Sequence, residues 1–158
     1  MTTMMPRSVI AATLLVALAF VEPPAANAQQ YRVAGGLAVY LGVLPAQALR
    51  GHTPGELPDP APHGRAPRGV HQYHLTAAVF DEKTGERISD AQVAATIAGL
   101  GLAGSRIELK PMQIAGTVTY GGYFNLPGED RYTIRIEIRR PNQPAAIRAD
   151  FVYEHRLR

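Results

Sequence analysis

The chain contains no cysteine. That removes thiolate zinc sites, thiol nucleophiles and haem attachment together. It also leaves an exported domain without disulfides, held by its apolar core alone. A membrane-length apolar run is missing too: residues 9–21 (VIAATLLVALAFV) fall short of the roughly 18–20 residues that span a bilayer. Gly99, Gly101 and Gly104 do not join a strand to a helix as a phosphate or dinucleotide loop requires. No serine stands in a Gly-x-Ser-x-Gly elbow. The acids Asp81-Glu82 and Glu129-Asp130 are neighbours in polar turns, not two carboxyls set across a cleft as glycoside hydrolysis needs. Lysine and arginine number 16 against 13 acids, a net charge of +3. They are dispersed and not interleaved with aromatics, which argues against nucleic acid as a partner. These absences together point away from an enzyme.

What is present begins with a leader. Arg7, the apolar stretch 9–21 and Ala26-Asn27-Ala28 have the layout of a signal peptide over residues 1–28, with Gln29 as the mature start. Neither a twin arginine nor a lipobox cysteine accompanies it, so secretion to a soluble state is expected, in a Gram-negative host to the periplasm. Residues 29–158 are then a single domain, large enough to bury a core of its own.

The mature part reads as all-β. Residues 132–139 alternate Tyr132, Ile134, Ile136 and Ile138 with Thr133, Arg135, Glu137 and Arg139, the period of a half-buried antiparallel strand. Residues 73–80 (YHLTAAVF) put Leu75, Ala77 and Val79 on one face and His74, Thr76, Ala78 and Phe80 on the other. Further strands are expected at 31–33, 37–44, 93–97, 106–109 and 146–153. Gly85 serves the polar turn 81–86 by taking positive φ. Residues 79–93 (VFDEKTGERISDAQV) resemble a segment of secreted immunoglobulin-like and transthyretin-like sandwiches, and the resemblance implies that Ile88 and Ala91 tuck into the core after that turn. Residues 51–69 hold five prolines and four glycines and read as a long loop rich in Pro, Gly and His. Tyr120-Gly121-Gly122-Tyr123 reads as a second, Gly-rich turn. The expectation is an antiparallel immunoglobulin-like β-sandwich of about seven strands.

Chemistry is concentrated in histidine and methionine. After processing, the chain has five histidines (52, 63, 71, 74, 155) and one methionine, Met112. Imidazole suits copper, zinc and iron, and a thioether favours Cu(I). His74 with Met112 is the preferred pair, with His71 and His155 as further donors. Taken singly, His52 and His63 read as solvated loop residues and His155 as a frayed terminal one.

Three segments carry a resemblance: His74-Leu75 opening a strand, Pro111-Met112 ahead of Tyr120-Gly121, and residues 126–132 (LPGEDRY) leading into a strand. Over residues 73–155 the chain resembles the periplasmic iron-transport-associated proteins, copper-binding immunoglobulin-like sandwiches that accompany an iron permease. The resemblance implies that His74 and Met112 are copper ligands, and that the partner is a membrane permease or another periplasmic protein. It also implies an acidic residue two positions after the histidine and a histidine before the Tyr-Gly pair. This chain has Thr76 and Thr119 at those places.

A second reading stands beside the first. Tyr120, Tyr123 and Phe124 on a turn, with Arg135 and Arg139 on the neighbouring strand, would form a docking patch for an acidic partner or a second copy of the chain, without metal. The bland alternatives are packing for the aromatics and a solvated face for the arginines.

Overall fold

In the computed structural model, residues 30–49, 67–101, 103–128 and 130–156 are described. The expected signal peptide and nearly all of the 51–69 loop, including His52 and His63, lie outside them. Among the described residues there are eight strands: β1 (Tyr31–Ala34), β2 (Leu37–Pro45), β3 (Gln72–Asp81), β4 (Gln92–Gly99), β5 (Ser105–Ile114), β6 (Thr117–Asn125), β7 (Asp130–Arg139) and β8 (Ile147–His155). A short 3-10 turn, Ala46–Leu49, follows β2. The strands are hydrogen-bonded in the order β1-β2-β3-β6-β5-β4-β7-β8, with every pair antiparallel. The ends of this order approach each other: the Arg32 guanidinium of β1 lies 5.8 Å from the ring centre of Phe151 on β8. The result is an all-β, nearly closed sandwich.

β5 makes the corner between the two sheets. Its first half, residues 105–109, pairs with β4, and its second half, residues 110–114, pairs with β6. Pro111 lies just past the changeover, where β5 has left β4 and has only β6 beside it. A residue without an N–H is tolerated at such an edge.

The core forms because the alternating faces meet. Leu75, Ala77 and Val79 of β3 and Val39 and Leu41 of β2 face Val93, Ala95 and Ile97 of β4, Ile134, Ile136 and Ile138 of β7, and Ala149 and Phe151 of β8. Each large aliphatic or aromatic side chain removed from water contributes about 1.5–3 kcal/mol. Ile88 joins this core and Ala91 packs against it, as the sequence suggested. Gly85 has φ +71° in the turn it was expected to make.

One sequence expectation is corrected. Tyr120-Gly121-Gly122-Tyr123 is not a turn but the middle of β6, with Met112 in the neighbouring β5. The turn sits earlier, at Ala115-Gly116, which links Ile114 to its partner Thr117. Both turn residues have positive φ, +50° and +75°, as a two-residue hairpin loop that matches strand twist requires. Gly-Gly inside a strand misleads because glycine is the usual residue of turns.

Ala115 carries a Cβ in the left-handed region, a conformation that costs an L-residue roughly 1–2 kcal/mol. Ala115→Asn, better suited to that region, is expected to raise stability by about 0.5–1 kcal/mol, read as a higher midpoint in urea with an unchanged slope.

Candidate metal site

Directly opposed residues of an antiparallel pair project to the same side of the sheet. The register sets His74 opposite Tyr123 and Thr76 opposite Gly121 between β3 and β6. Between β6 and β5 it sets Gly121 opposite Lys110 and Thr119 opposite Met112. Since Leu75 and Ala77 face the core, His74, Thr76, Thr119, Gly121, Tyr123, Lys110 and Met112 share the outer face.

Gly121 lies at the centre of this group. A Cβ built on it would stand 2.6 Å from Met112 Sδ, 3.0 Å from His74 Nε2 and 3.1 Å from His74 Cε1. The thioether sulfur and the imidazole nitrogen therefore converge on one small volume, which exists because residue 121 has no side chain. Gly42 on β2 approaches Thr76 from the other flank, where a Cβ would meet Thr76 Oγ1 at 2.5 Å. Thr76 thus has glycine as its cross-strand neighbour on both sides.

Although on the outer face, His74 and Thr119 are only 4% and 6% exposed. Tyr123 packs its ring on the imidazole of His74, with centroids 4.8 Å apart and planes 47° apart. Burial holds the Tyr123 hydroxyl above its ordinary pKa. The pair expected from sequence, His74 and Met112, is thus brought together. A thioether sulfur and an imidazole nitrogen meet beside Gly121, where a methyl group would collide with both, and these donor types suit copper.

The other expected donors are placed elsewhere. His71 stands one residue before β3, where its carbonyl accepts the Leu126 N–H at 2.9 Å. Its Nδ1 is buried without a hydrogen-bond partner. Three residues of extended chain, about 10 Å, separate it from His74, so the strand carries it away from the cradle. His155 is not frayed: it is 3% exposed. Its Nδ1 lies 2.5 Å from the Gly128 carbonyl, and its Nε2 lies 2.5 Å from the Tyr73 hydroxyl. A carbonyl only accepts, so Nδ1 donates, and Nε2 of the neutral ring accepts from Tyr73. The lone pair a metal would need is already engaged. His155 is a structural residue, joined edge-on to Tyr73 at 4.8 Å between centroids. Among the described residues, no group of three or more His, Cys, Asp or Glu side chains is gathered.

The docking patch is also rearranged. Tyr120 is 1% exposed. Its hydroxyl donates to the Ile88 carbonyl and accepts the Ala91 N–H, both at 3.1 Å, pinning the β3–β4 connection to β6. Burial raises its pKa. Phe124 is buried against Tyr73, with ring centres 6.2 Å apart. These two are packing residues, because alternation along β6 turns them to the core. Arg135 is exposed but holds Asp150 through two hydrogen bonds, of 2.7 and 3.0 Å, and this bonding keeps the Asp150 carboxyl below its usual pKa. Glu137 is likewise shared by Arg106 and Arg148. The positive face is therefore largely compensated, and Arg139 remains as an exposed cation at the end of β7.

No protein-family profile matches the chain, and no curated protein is similar to it in sequence. Solved structures are similar in fold. A DUF4426-family protein from Pseudomonas aeruginosa is 19% identical, with a TM-score of 0.58 over 80% of this chain and 93% of its own. A copper-bound variant of FetP from uropathogenic Escherichia coli strain F11 is 13% identical, with a TM-score of 0.59 over 81% and 95%. A copper-bound variant of P19 from Campylobacter jejuni is 13% identical, with a TM-score of 0.56 over 79% and 93%. At these identities the likeness is one of fold, and it is distant. Two of the three were solved with copper bound.

Gly121 and Tyr123 were not read from the sequence as parts of the site that holds His74, Met112 and Thr119. The signal that could have found them is the Ala115-Gly116 hairpin: a two-residue loop between 114 and 117 fixes 112 opposite 119. Tyr73→Phe would leave the buried Nε2 of His155 without its donor. The expected loss is about 1–3 kcal/mol of stability, measured by urea denaturation, with the circular dichroism of the folded state unchanged.

Proposed function

We propose that the protein is an exported copper-handling protein that binds the ion reversibly through His74 and Met112 and passes it on without covalent chemistry. The observation that carries this reading is the convergence of Met112 Sδ and His74 Nε2 on the space left by Gly121. The fold shared with copper-bound FetP and P19 supports it. So does the signal-peptide layout of residues 1–28, which directs the protein to the periplasm of a Gram-negative host. Copper is cargo here, and the partner that receives it is a membrane permease or another exported protein. His71, with its unpartnered buried Nδ1, is a further donor only if its segment moves toward β5.

A second reading, a metal-free interaction module, is favoured by Thr76 and Thr119, which stand where the resembled family has an acidic residue and a histidine. Its contact residues would come from Tyr123, Arg139 and the exposed side of Arg135, or from a second copy of the chain.

The deciding measurement is the copper content and Cu(I) titration of the protein purified without an affinity tag. One tightly held equivalent is expected. His74→Ala combined with Met112→Ala should weaken Cu(I) binding at least 100-fold while circular dichroism stays native. Equal affinity in the double variant would exclude these ligands. Absence of binding in the wild type would leave the interaction-module reading.

A further inference from the structure

We infer that a groove along the outer side of β4 binds a small zwitterion of dipeptide size, its carboxylate held between Lys110 and Arg139 and its ammonium at Glu108. This site lies on the sheet of β4, β7 and β8 and uses neither His74 nor Met112, so it is independent of the copper reading.

The groove follows from side-chain size. On its outer side β4 carries Gln92, Ala94 and Thr96, while the neighbouring strands carry long charged residues in rows beside them. Ala94 is flanked by Glu108 of β5 and Glu137 of β7, and Thr96 by Arg106 and Arg135. Gln92 is opposite Arg139. Lys110, two residues beyond Glu108, joins the row of Gln92 by strand alternation. Ala94 is the floor, 6% exposed. Pairing of β4 with β5 ends at Val93 and Leu109, and from Lys110 onward β5 pairs with β6 instead. The groove takes in this parting, with Ala91 and Pro111 in its lining, and has a volume of about 380 Å³. Sites for small molecules are typically roughly 300–1,000 Å³.

Several charges on this face are already satisfied. Arg106 and Arg148 share Glu137, and Arg135 holds Asp150. Glu108, Lys110 and Arg139 differ. All three are exposed and line the groove or its end. Among the described residues, none of them is joined in an ion pair. The groove thus presents two cations in one row and a carboxylate in the next, about 6.7 Å further along the strand.

A lone anion here would be drawn by Lys110 and Arg139 and repelled by Glu108, and a lone cation would meet the reverse. A molecule carrying both charges at this spacing complements all three. Two residues of extended peptide span at most about 7 Å, so the termini of a dipeptide match the two rows. The Arg139 guanidinium suits a carboxylate through paired N–H donors, and the Gln92 amide adds a neutral donor. Ala91, Ala94 and Pro111 offer an apolar surface to short side chains.

The test is a titration of the untagged, nitrogen-15-labelled protein with alanyl-alanine, its N-acetyl form and its C-terminal amide, followed by amide chemical shifts. Alanyl-alanine is expected to bind saturably, with shifts centred on residues 91–94 and 108–111. Blocking either terminus should cost about fivefold in affinity, the size of one exposed ion pair. Lys110→Gln combined with Arg139→Gln should weaken alanyl-alanine about tenfold and leave it no tighter than its amide. Glu108→Gln should erase the preference over the acetylated form and keep the preference over the amide. Circular dichroism checks that these surface variants stay folded, and the comparison of blocked ligands needs the wild type alone. No saturable binding of alanyl-alanine, equal affinity for its three forms, or shifts confined to other strands would overturn the inference. Tighter binding of the acetylated form than of the parent would also overturn it, because the groove would then take a simple anion.

Discussion

The register of three strands, β3, β6 and β5, is the constraint on which the rest depends. Burial of Leu75, Ala77 and Tyr120 on the inner side fixes which way each strand faces, because a slip of one residue would turn that apolar set to water. Once the inner side is fixed, the outer side follows without further choice: Thr76 meets Gly121, and Met112 meets Thr119. The candidate site is thus a by-product of core packing on one face and of a two-residue hairpin that leaves no slack in the pairing. Tyr120 tightens the arrangement by tying the β3–β4 connection to the same strand.

Two glycines in strand interiors look like weaknesses, since glycine adds chain entropy and packs no side chain. Their placement gives them a purpose. Gly42 and Gly121 flank Thr76 from β2 and β6, and any Cβ there would strike the side chains beside it. The outer face is thinned where the imidazole and thioether lean inward, and those two side chains fill space that larger residues would otherwise take. The same logic separates the histidines. His74 packs over Gly121 beside the Met112 sulfur, whereas His155 is held between a carbonyl and a tyrosine hydroxyl and closes the far end of the core.

Much of the fold was legible. The isoleucine ladder of β7, the inward face of β3 and the turn at Gly85 were read from period and turn chemistry, signals local in the chain, and the insertion of Ile88 and Ala91 from a resemblance of that segment to other sandwiches. β6 was missed because its centre carries the residues of a turn, and the local signal there contradicts the tertiary role. The docking patch failed for the same reason. With β6 taken as a turn, Tyr120 and Phe124 seemed displayed, but as alternate residues of a strand they face the core. Arg135 looked like a free cation because Asp150, its partner, is distant in sequence and adjacent only through β7–β8 pairing.

The sequence by itself determined the all-β character, the inward faces of its strands, the absence of thiol chemistry and the donor types available, thioether and imidazole. Those properties follow from composition and from the period-2 geometry of the backbone. Only the tertiary structure decided which imidazole meets the thioether, since that depends on strands distant in sequence being paired in one register. It engaged both ring nitrogens of His155 with partners, and it brought the Met112 and His74 side chains to where a Cβ of residue 121 would have been.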